Sequence, residues 1–204
     1  MELMELTANS GMDEFYSAMH KECLNDRILV FNQEVDDGLI EDFVLYILKW
    51  NKEDKDIPIE KRKPITIIMN SIGGSPFSGG ALVAVIMASK TPVRAVGIGM
   101  VASACFDIYI SCDERISFDN VTYLLHDGGI ELSTSSKKMK ETVEYFTNTM
   151  AEHDKHFVLN RTNMTEEFYD SVYGEEFYMY AEKAKELGVV HKIIGKDIEL
   201  DDIF

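Results

Sequence analysis

Short continuous apolar runs recur along the chain, separated by stretches in which apolar residues return every three or four positions. The runs "RILVFNQ" (27–33), "ITIIMN" (65–70), "VRAVGI" (93–98), "RISF" (115–118), "VTYLLHD" (121–127) and "VVHKII" (189–194) are rich in β-branched residues and predict strands. Helical spacing predicts a short helix over 13–22 and a broader one in "GLIEDFVLYILKW" (38–50). Further helices are predicted after the glycine turn of "SIGGSPFSGGALVAVIMASK" (71–90), from Ser103 onward, and over 136–161, 165–174 and 180–188. Thr165 begins a capping box and Gly174 supplies a stop. Strand–helix–strand units with short connections imply right-handed crossovers and an α/β fold with a mainly parallel sheet.

Two stretches depart from this rhythm. "NKEDKDIPIEKRKP" (51–64) is charged, holds two prolines and reads as an exposed loop rather than a domain boundary. The helix over 136–161 puts Met139, Val143, Phe146 and Met150 on one face and mostly charge on the other. A helix this long near the end of a small α/β unit is expected to project as an arm and pack against another subunit.

The length of 204 residues suits one domain, 1–204, with an N-terminal segment over 1–19 and an arm region over 128–162. A formal net charge of −16, from 20 Lys and Arg against 36 Asp and Glu, makes nucleic acid and anionic membranes poor partners. The start "MELMELTANSGMDEF" lacks the basic and apolar regions of a signal peptide, and no apolar run is long enough to span a bilayer. Cys23, Cys105 and Cys112 are odd in number, show no CxxC spacing and sit in apolar patterns. They are expected as buried, reduced thiols in a cytoplasmic protein.

Within "GIGMVASACFDIYIS" (97–111), Ser103 marks a strand-to-helix junction, where a serine either caps the helix or serves as a nucleophile. A serine hydroxyl needs a base, and the base an orienting group. His126 ends the apolar strand "VTYLL" and precedes "DGG", which makes it the candidate base. Asp127 should project to the opposite face, so the orienting acid must come from elsewhere. His153 and His156 lie three apart on the long helix with no third ligand nearby, which argues for solvated side chains and no metal site. His20 and His191 have no distinguishing context. The "IGGS" turn (72–75) can offer the Gly74 N–H, and the helix after Ser103 the Ala104 N–H, to an oxyanion.

Together these segments resemble the Clp protease proteolytic subunit family, ClpP. "MNSIGGSPFSGG" is similar to the family's Asn-Ser-Pro-Gly-Gly-Ser turn, "GMVASAC" to its Gly-Met-Ala-Ala-Ser-Met-Gly nucleophile segment, and "LLHDGG" to its Met-Ile-His-Gln-Pro segment. "EEFYMYAEKAKELGVVHKI" resembles the family's Asp-Arg-Asp-Phe-Phe-Met-Ser-Ala-Glu-Glu-Ala stretch and the strand after it, and the likeness covers about residues 20–195. The resemblance implies the ClpP/crotonase-like fold of repeated β-β-α units with a projecting handle helix. It further implies Ser103 as nucleophile, His126 as base, Glu176 at the place of the family's Asp, and the N–H groups of Gly74 and Ala104 as oxyanion hole. Gly73, Ser75, Asp107, Gly128 and Gly129 are candidates for the substrate strand or pocket.

The implied function is a serine endopeptidase that cleaves peptides and unfolded proteins inside a homo-oligomeric chamber of two stacked heptameric rings. An AAA+ ATPase unfoldase would feed it, and the chemistry needs no cofactor or metal. The chain departs from the family at Ile72 for the turn proline, Asp127 for the glutamine after His, and Glu176 for Asp. Asp107 stands where the family is apolar, one helical turn after Ser103. It is expected either to bond a neighbour at the sheet edge, the more ordinary outcome, or to line the substrate pocket. Two other readings stand beside this one: a crotonase-like acyl-CoA enzyme, and a non-catalytic ring subunit.

Overall fold

The computed structural model describes the backbone of residues 2–129 and 133–203, and the side chains of 14–129 and 133–203. Residues 130–132 of the arm region therefore lie outside the described residues. Seven strands form one sheet: β1 (Ile28–Phe31), β2 (Ile65–Ser71), β3 (Val93–Ala102), β4 (Glu114–Ser117), β5 (Thr122–Leu125), β6 (Phe177–Tyr180) and β7 (Lys192–Ile193). The order β1-β2-β3-β4-β7 is parallel throughout, as the strand–helix alternation requires. β5 and β6 stand off this path. β5 pairs parallel with the end of β3, and β6, which the hydrophobic pattern did not predict, pairs antiparallel with β5.

Strand β3 makes this branching possible. It runs four residues past its predicted end, pairing with β4 at Arg94–Gly97 and with β5 at Met100–Ala102. The change of partner falls at Gly99, whose backbone is left-handed (φ 57°) and where a Cβ would overlap the Asn70 carboxamide. Asn70 holds the bend: its Oδ1 accepts from the Met100 N–H at 2.9 Å, and its Nδ2 donates to Asn32 Oδ1 at 2.7 Å. The bend carries the end of β3 away from β4 and against β5.

Among the described residues eight α-helices surround the sheet: α1 (Glu2–Asn25), α2 (Leu45–Glu53, entered through a π-turn at Ile40–Val44), α3 (Pro76–Ala88), α4 (Ala104–Ser111), α5 (Ser136–Glu144), α6 (Ala151–Arg161), α7 (Glu166–Val172) and α8 (Ala181–Glu186). α1 is longer than the predicted 13–22. A π-helical stretch at Tyr145–Met150 joins α5 to α6, so the predicted helix over 136–161 is continuous. Among the described residues no helix is long and apolar enough to cross a membrane.

The core gathers Phe31, Phe43, Ile65, Ile67, Met69, Phe106, Ile108, Tyr109 and Tyr123, all essentially without solvent contact. Cys105 and Cys112 belong to it as free thiols, whereas Cys23 is only half-buried. The charged loop is mostly exposed, as its composition predicts, but two of its ionic side chains are buried. Asp54, 2% exposed, takes a bidentate pair from Arg27 (2.6 and 2.8 Å) and a bond from Thr91 Oγ1 (2.9 Å). Arg62, also buried, donates to the Ile57 carbonyl at 2.9 Å. Two ionic side chains thus tie the loop to the starts of β1 and β3.

Candidate active site

Ser103 follows the last residue of β3 and precedes the first of α4. Its N–H donates to the Leu124 carbonyl of β5 at 3.1 Å, which locks it to the neighbouring strand. Its φ of 55° and ψ of −131° are left-handed, a cost of roughly 1–3 kcal/mol for a residue with a Cβ. The capping alternative does not describe this serine: its side chain makes no cap hydrogen bond. Instead the sharp turn presents Oγ at the sheet's edge, next to the free N–H groups at the start of α4.

The turn after β2 is pressed against this serine. A Cβ on Gly73 would lie 2.6 Å from Ser103 Cβ and 2.8 Å from the Ala102 carbonyl oxygen, and Gly73 has φ 97°, so only glycine fits. The Gly73 carbonyl accepts from the Val35 N–H (2.8 Å) and the Ser75 N–H donates to the Val35 carbonyl (2.7 Å). This parallel bridge uses the groups on one side of the turn and leaves the Gly74 N–H, on the other side, without an acceptor among the described residues. Ser75 itself caps α3, its Oγ accepting from the Ser78 N–H at 3.2 Å.

His126 extends β5 by one residue, on the strand beside β3. Its Nε2 is buried and has no hydrogen-bond partner among the described residues. Ser103 Oγ likewise has no hydrogen-bond partner among the described residues, so the two side chains are not bonded to each other. The β5–β6 register runs from Thr122↔Tyr180 to Leu125↔Phe177, and His126 and Glu176 are the residues next beyond its last pair. The Glu176 carboxylate is turned away, however, and accepts from the Tyr178 hydroxyl at 2.8 Å. That bond raises the pKa of the Tyr178 phenol. Asp127 is exposed, and Gly128 and Gly129 are exposed with nothing within 4 Å of a Cβ built on them.

A cavity of about 600 Å³ opens beside Ala104, between α3, α4 and the long helix. Its walls are largely apolar, with Phe77, Val83, Met87 and Phe157 among them, and Asp107 is the acid inside. Asp107 does not bond a neighbour, contrary to the more ordinary expectation: it has no hydrogen-bond partner among the described residues. Burial, and then the charge of Asp154, push its carboxyl up to about 7. Burial also raises Asp154, which lines the cavity with His153 from α6. His153 Nδ1 lies 3.8 Å from Asp154 Oδ1. Asp154, Tyr178 and the cavity itself were not found from the sequence, because all three depend on elements distant along the chain. No group of three metal-ligating side chains exists among the described residues.

A parallel-dominated sheet with a left-handed serine at a strand-to-helix turn, a histidine just past the adjoining strand and a glycine turn packed on the serine defines an α/β protein with a strained turn at the end of its central strand. The comparisons with known proteins carry this further. A sequence model of the Clp protease family matches residues 11–197, and the chain belongs to that family. It is 31% identical over 174 residues to an ATP-dependent Clp protease proteolytic subunit 2 of Pseudomonas aeruginosa, covering 81% of this chain and 80% of that protein. It is 23% identical over 175 residues to a proteolytic subunit 3 of Parasynechococcus marenigrum, covering 83% of each. In fold it is similar to a mutant form of ClpP1 from Listeria monocytogenes, with a TM-score of 0.73 and 24% identity over 86% of this chain and 95% of that one.

Proposed function

We propose that this Clp protease family member is a serine endopeptidase that uses Ser103, His126 and Glu176. Ser103 Oγ attacks the carbonyl carbon of a peptide bond while its proton passes to His126 Nε2. The C–N bond then breaks as His126 returns that proton to the leaving amine, leaving an ester on Ser103. Water, deprotonated by the same imidazole, hydrolyses the ester to a carboxylic acid and restores the serine. The N–H groups of Gly74 and Ala104 stabilise the oxyanion, and Glu176 stabilises the imidazolium. Family membership supports a peptidase, and the observation that carries the serine mechanism is the left-handed backbone of Ser103, a strain that an ordinary helix cap does not need.

The expected assembly is a chamber of two stacked heptameric rings fed by an AAA+ unfoldase, acting on unfolded chains. Helix α5 supports it: it buries none of its residues in this chain, and Met139 and Val143 are 39% and 41% exposed. Phe146, from the same apolar stripe, instead packs edge-on against Phe77 of its own chain. A cytoplasmic setting fits three cysteines that are all unpaired.

A non-catalytic ring subunit is the second reading, favoured by the bond that holds Glu176 on Tyr178. The acyl-CoA reading rests on the fold alone. One experiment decides: intact-mass analysis after fluorophosphonate treatment, with peptide hydrolysis assayed in parallel. We expect one adduct per chain in the wild type and neither adduct nor hydrolysis in Ser103→Ala. An unlabelled wild type would leave the non-catalytic reading standing.

A further inference from the structure

The cavity beside Ala104 holds two carboxylates, and among the described residues the inner one has no cation beside it. We propose that it receives the side chain of the substrate residue whose carbonyl Ser103 attacks, and that Asp107, with Asp154, selects lysine or arginine there. The inference rests on the endopeptidase reading and assigns the substrate class of that site.

Position is the first argument. Asp107 lies one turn along α4 from Ser103, and its N–H points back to the Ser103 carbonyl at 3.4 Å. Ala104, next to the nucleophile, is part of the cavity wall. A side chain entering here belongs to the acyl half of the substrate. Shape is the second. Gly79 and Gly80 of α3 keep one wall low, and Val83, Met87 and Phe157 offer apolar surface to the methylene stem of a long side chain. A cavity of about 600 Å³ has room for arginine.

Charge is the third. Lys155, beside Asp154 in sequence, is already engaged by Glu166 at 2.9 Å and Asp170 at 2.7 Å. His153 is the sole basic side chain on the cavity wall, and it stands at Asp154 rather than Asp107. A leucine in the cavity would leave Asp107 buried against hydrocarbon without a partner. A guanidinium or ammonium would satisfy that carboxylate and relieve its repulsion with Asp154.

The titratable groups around Asp107 are Asp154 of α6, with His153 beside it, Tyr145 of the π-stretch, Tyr169 of α7 and the Cys105 thiol of its own helix; α3 adds none. With Asp107 titrating about 7, the preference for basic over apolar substrates should grow as pH rises through that value. Taking the ratio of the two substrates cancels any pH dependence common to both.

The test uses two peptidyl diphenyl phosphonates that differ only in having an arginine-like or a leucine-like side chain next to phosphorus. Each reacts by forming a bond from Ser103 Oγ to phosphorus with loss of phenol, followed by intact mass. We expect the basic probe to label the wild type at least about tenfold faster, Asp107→Asn to bring the ratio near one, and Asp107→Glu to retain the preference. Asp154→Asn should lower it partway. A wild type that reacts as fast with the leucine-like probe, or a ratio unchanged in Asp107→Asn, overturns the proposal. If those results come with normal fluorophosphonate labelling, the peptidase reading survives and only the subsite falls. No labelling by any probe removes both.

Discussion

The bond between Tyr178 and Glu176 competes with the role proposed for Glu176, and that competition can be measured. If the β5–β6 register continues one step past its last pair, Leu125↔Phe177, Glu176 stands opposite His126 at the spacing of paired Cα atoms, about 4.5–5.5 Å, and a rotation of its side chain would bring it to the imidazole. To do so it must leave the Tyr178 hydroxyl at 2.8 Å. Both groups are exposed, so water screens the bond and replaces it readily; it should favour the turned-away rotamer by only about two- to fivefold. Tyr178→Phe removes the hydroxyl and keeps the ring on the sheet surface.

We therefore expect Tyr178→Phe to raise kcat for a short peptide by at most about two- to fivefold with KM little changed, because the shift lies in the side chain proposed to orient His126 and not in the substrate cavity. Glu176→Gln should lower kcat by at least about a hundredfold, since an amide cannot stabilise the imidazolium. In the double variant the gain from Tyr178→Phe should vanish, which separates release of Glu176 from any unrelated effect of the ring. The assay is steady-state hydrolysis near neutral pH, with sedimentation to confirm that each variant has the wild-type assembly. A Tyr178→Phe enzyme slower than wild type would refute the reasoning. So would full activity in Glu176→Gln, and the orienting acid would then be sought elsewhere, with Asp127 first.

Two further outcomes are expected. Asp54→Ala should cost about 3–5 kcal/mol in urea unfolding at neutral pH, because it strands the Arg27 charge and the Thr91 hydroxyl. The Arg27 hydrogen bonds hold Asp54 below the usual carboxylate range, so this contribution is present above the unfolded-state value near 4 and is lost as pH falls through the lower folded value; the variant's stability should be flatter with pH there. Val143→Asp should reduce the particle size seen by light scattering while leaving the far-UV dichroism of the chain intact, since Val143 is exposed in the single chain and its replacement disturbs only what covers it.

The parallel strands were legible because each is an apolar run bounded by polar or glycine-containing turns, and buried parallel strands demand that pattern. Ser103 and His126 were legible as chain positions, each at a strand's end. The strain at Ser103 was not, since serine caps helices as readily as it occupies an elbow, and what forces its φ is the packing of β3 between β2 and β5. Strand β6 was missed because "FYMY" is short, aromatic at both exposed and buried positions, and stabilised by its ladder to β5, which lies some fifty residues earlier in sequence. Without β6 nothing in the pattern itself could relate Glu176 to His126, and only the family resemblance pointed to it.

Asp107 shows where local reasoning stops. Its position one turn after Ser103 follows from helical spacing, and from that spacing alone an acid at a sheet edge is expected to find a hydrogen-bond donor. Whether it does depends on what the long helix brings across the gap. That helix delivers Asp154 rather than a cation to the cavity, because Lys155, one residue on, points to α7 and is held by Glu166 and Asp170. Which side chain faces Asp107 from across the cavity thus depends on the rotation of α6 about its own axis. The π-stretch at Tyr145–Met150 bears directly on that rotation, because one residue added to a helical turn shifts every later side chain around the axis by about 100°. Burial, and then the charge of the Asp154 that the long helix brings to the cavity, push the Asp107 carboxyl up to about 7.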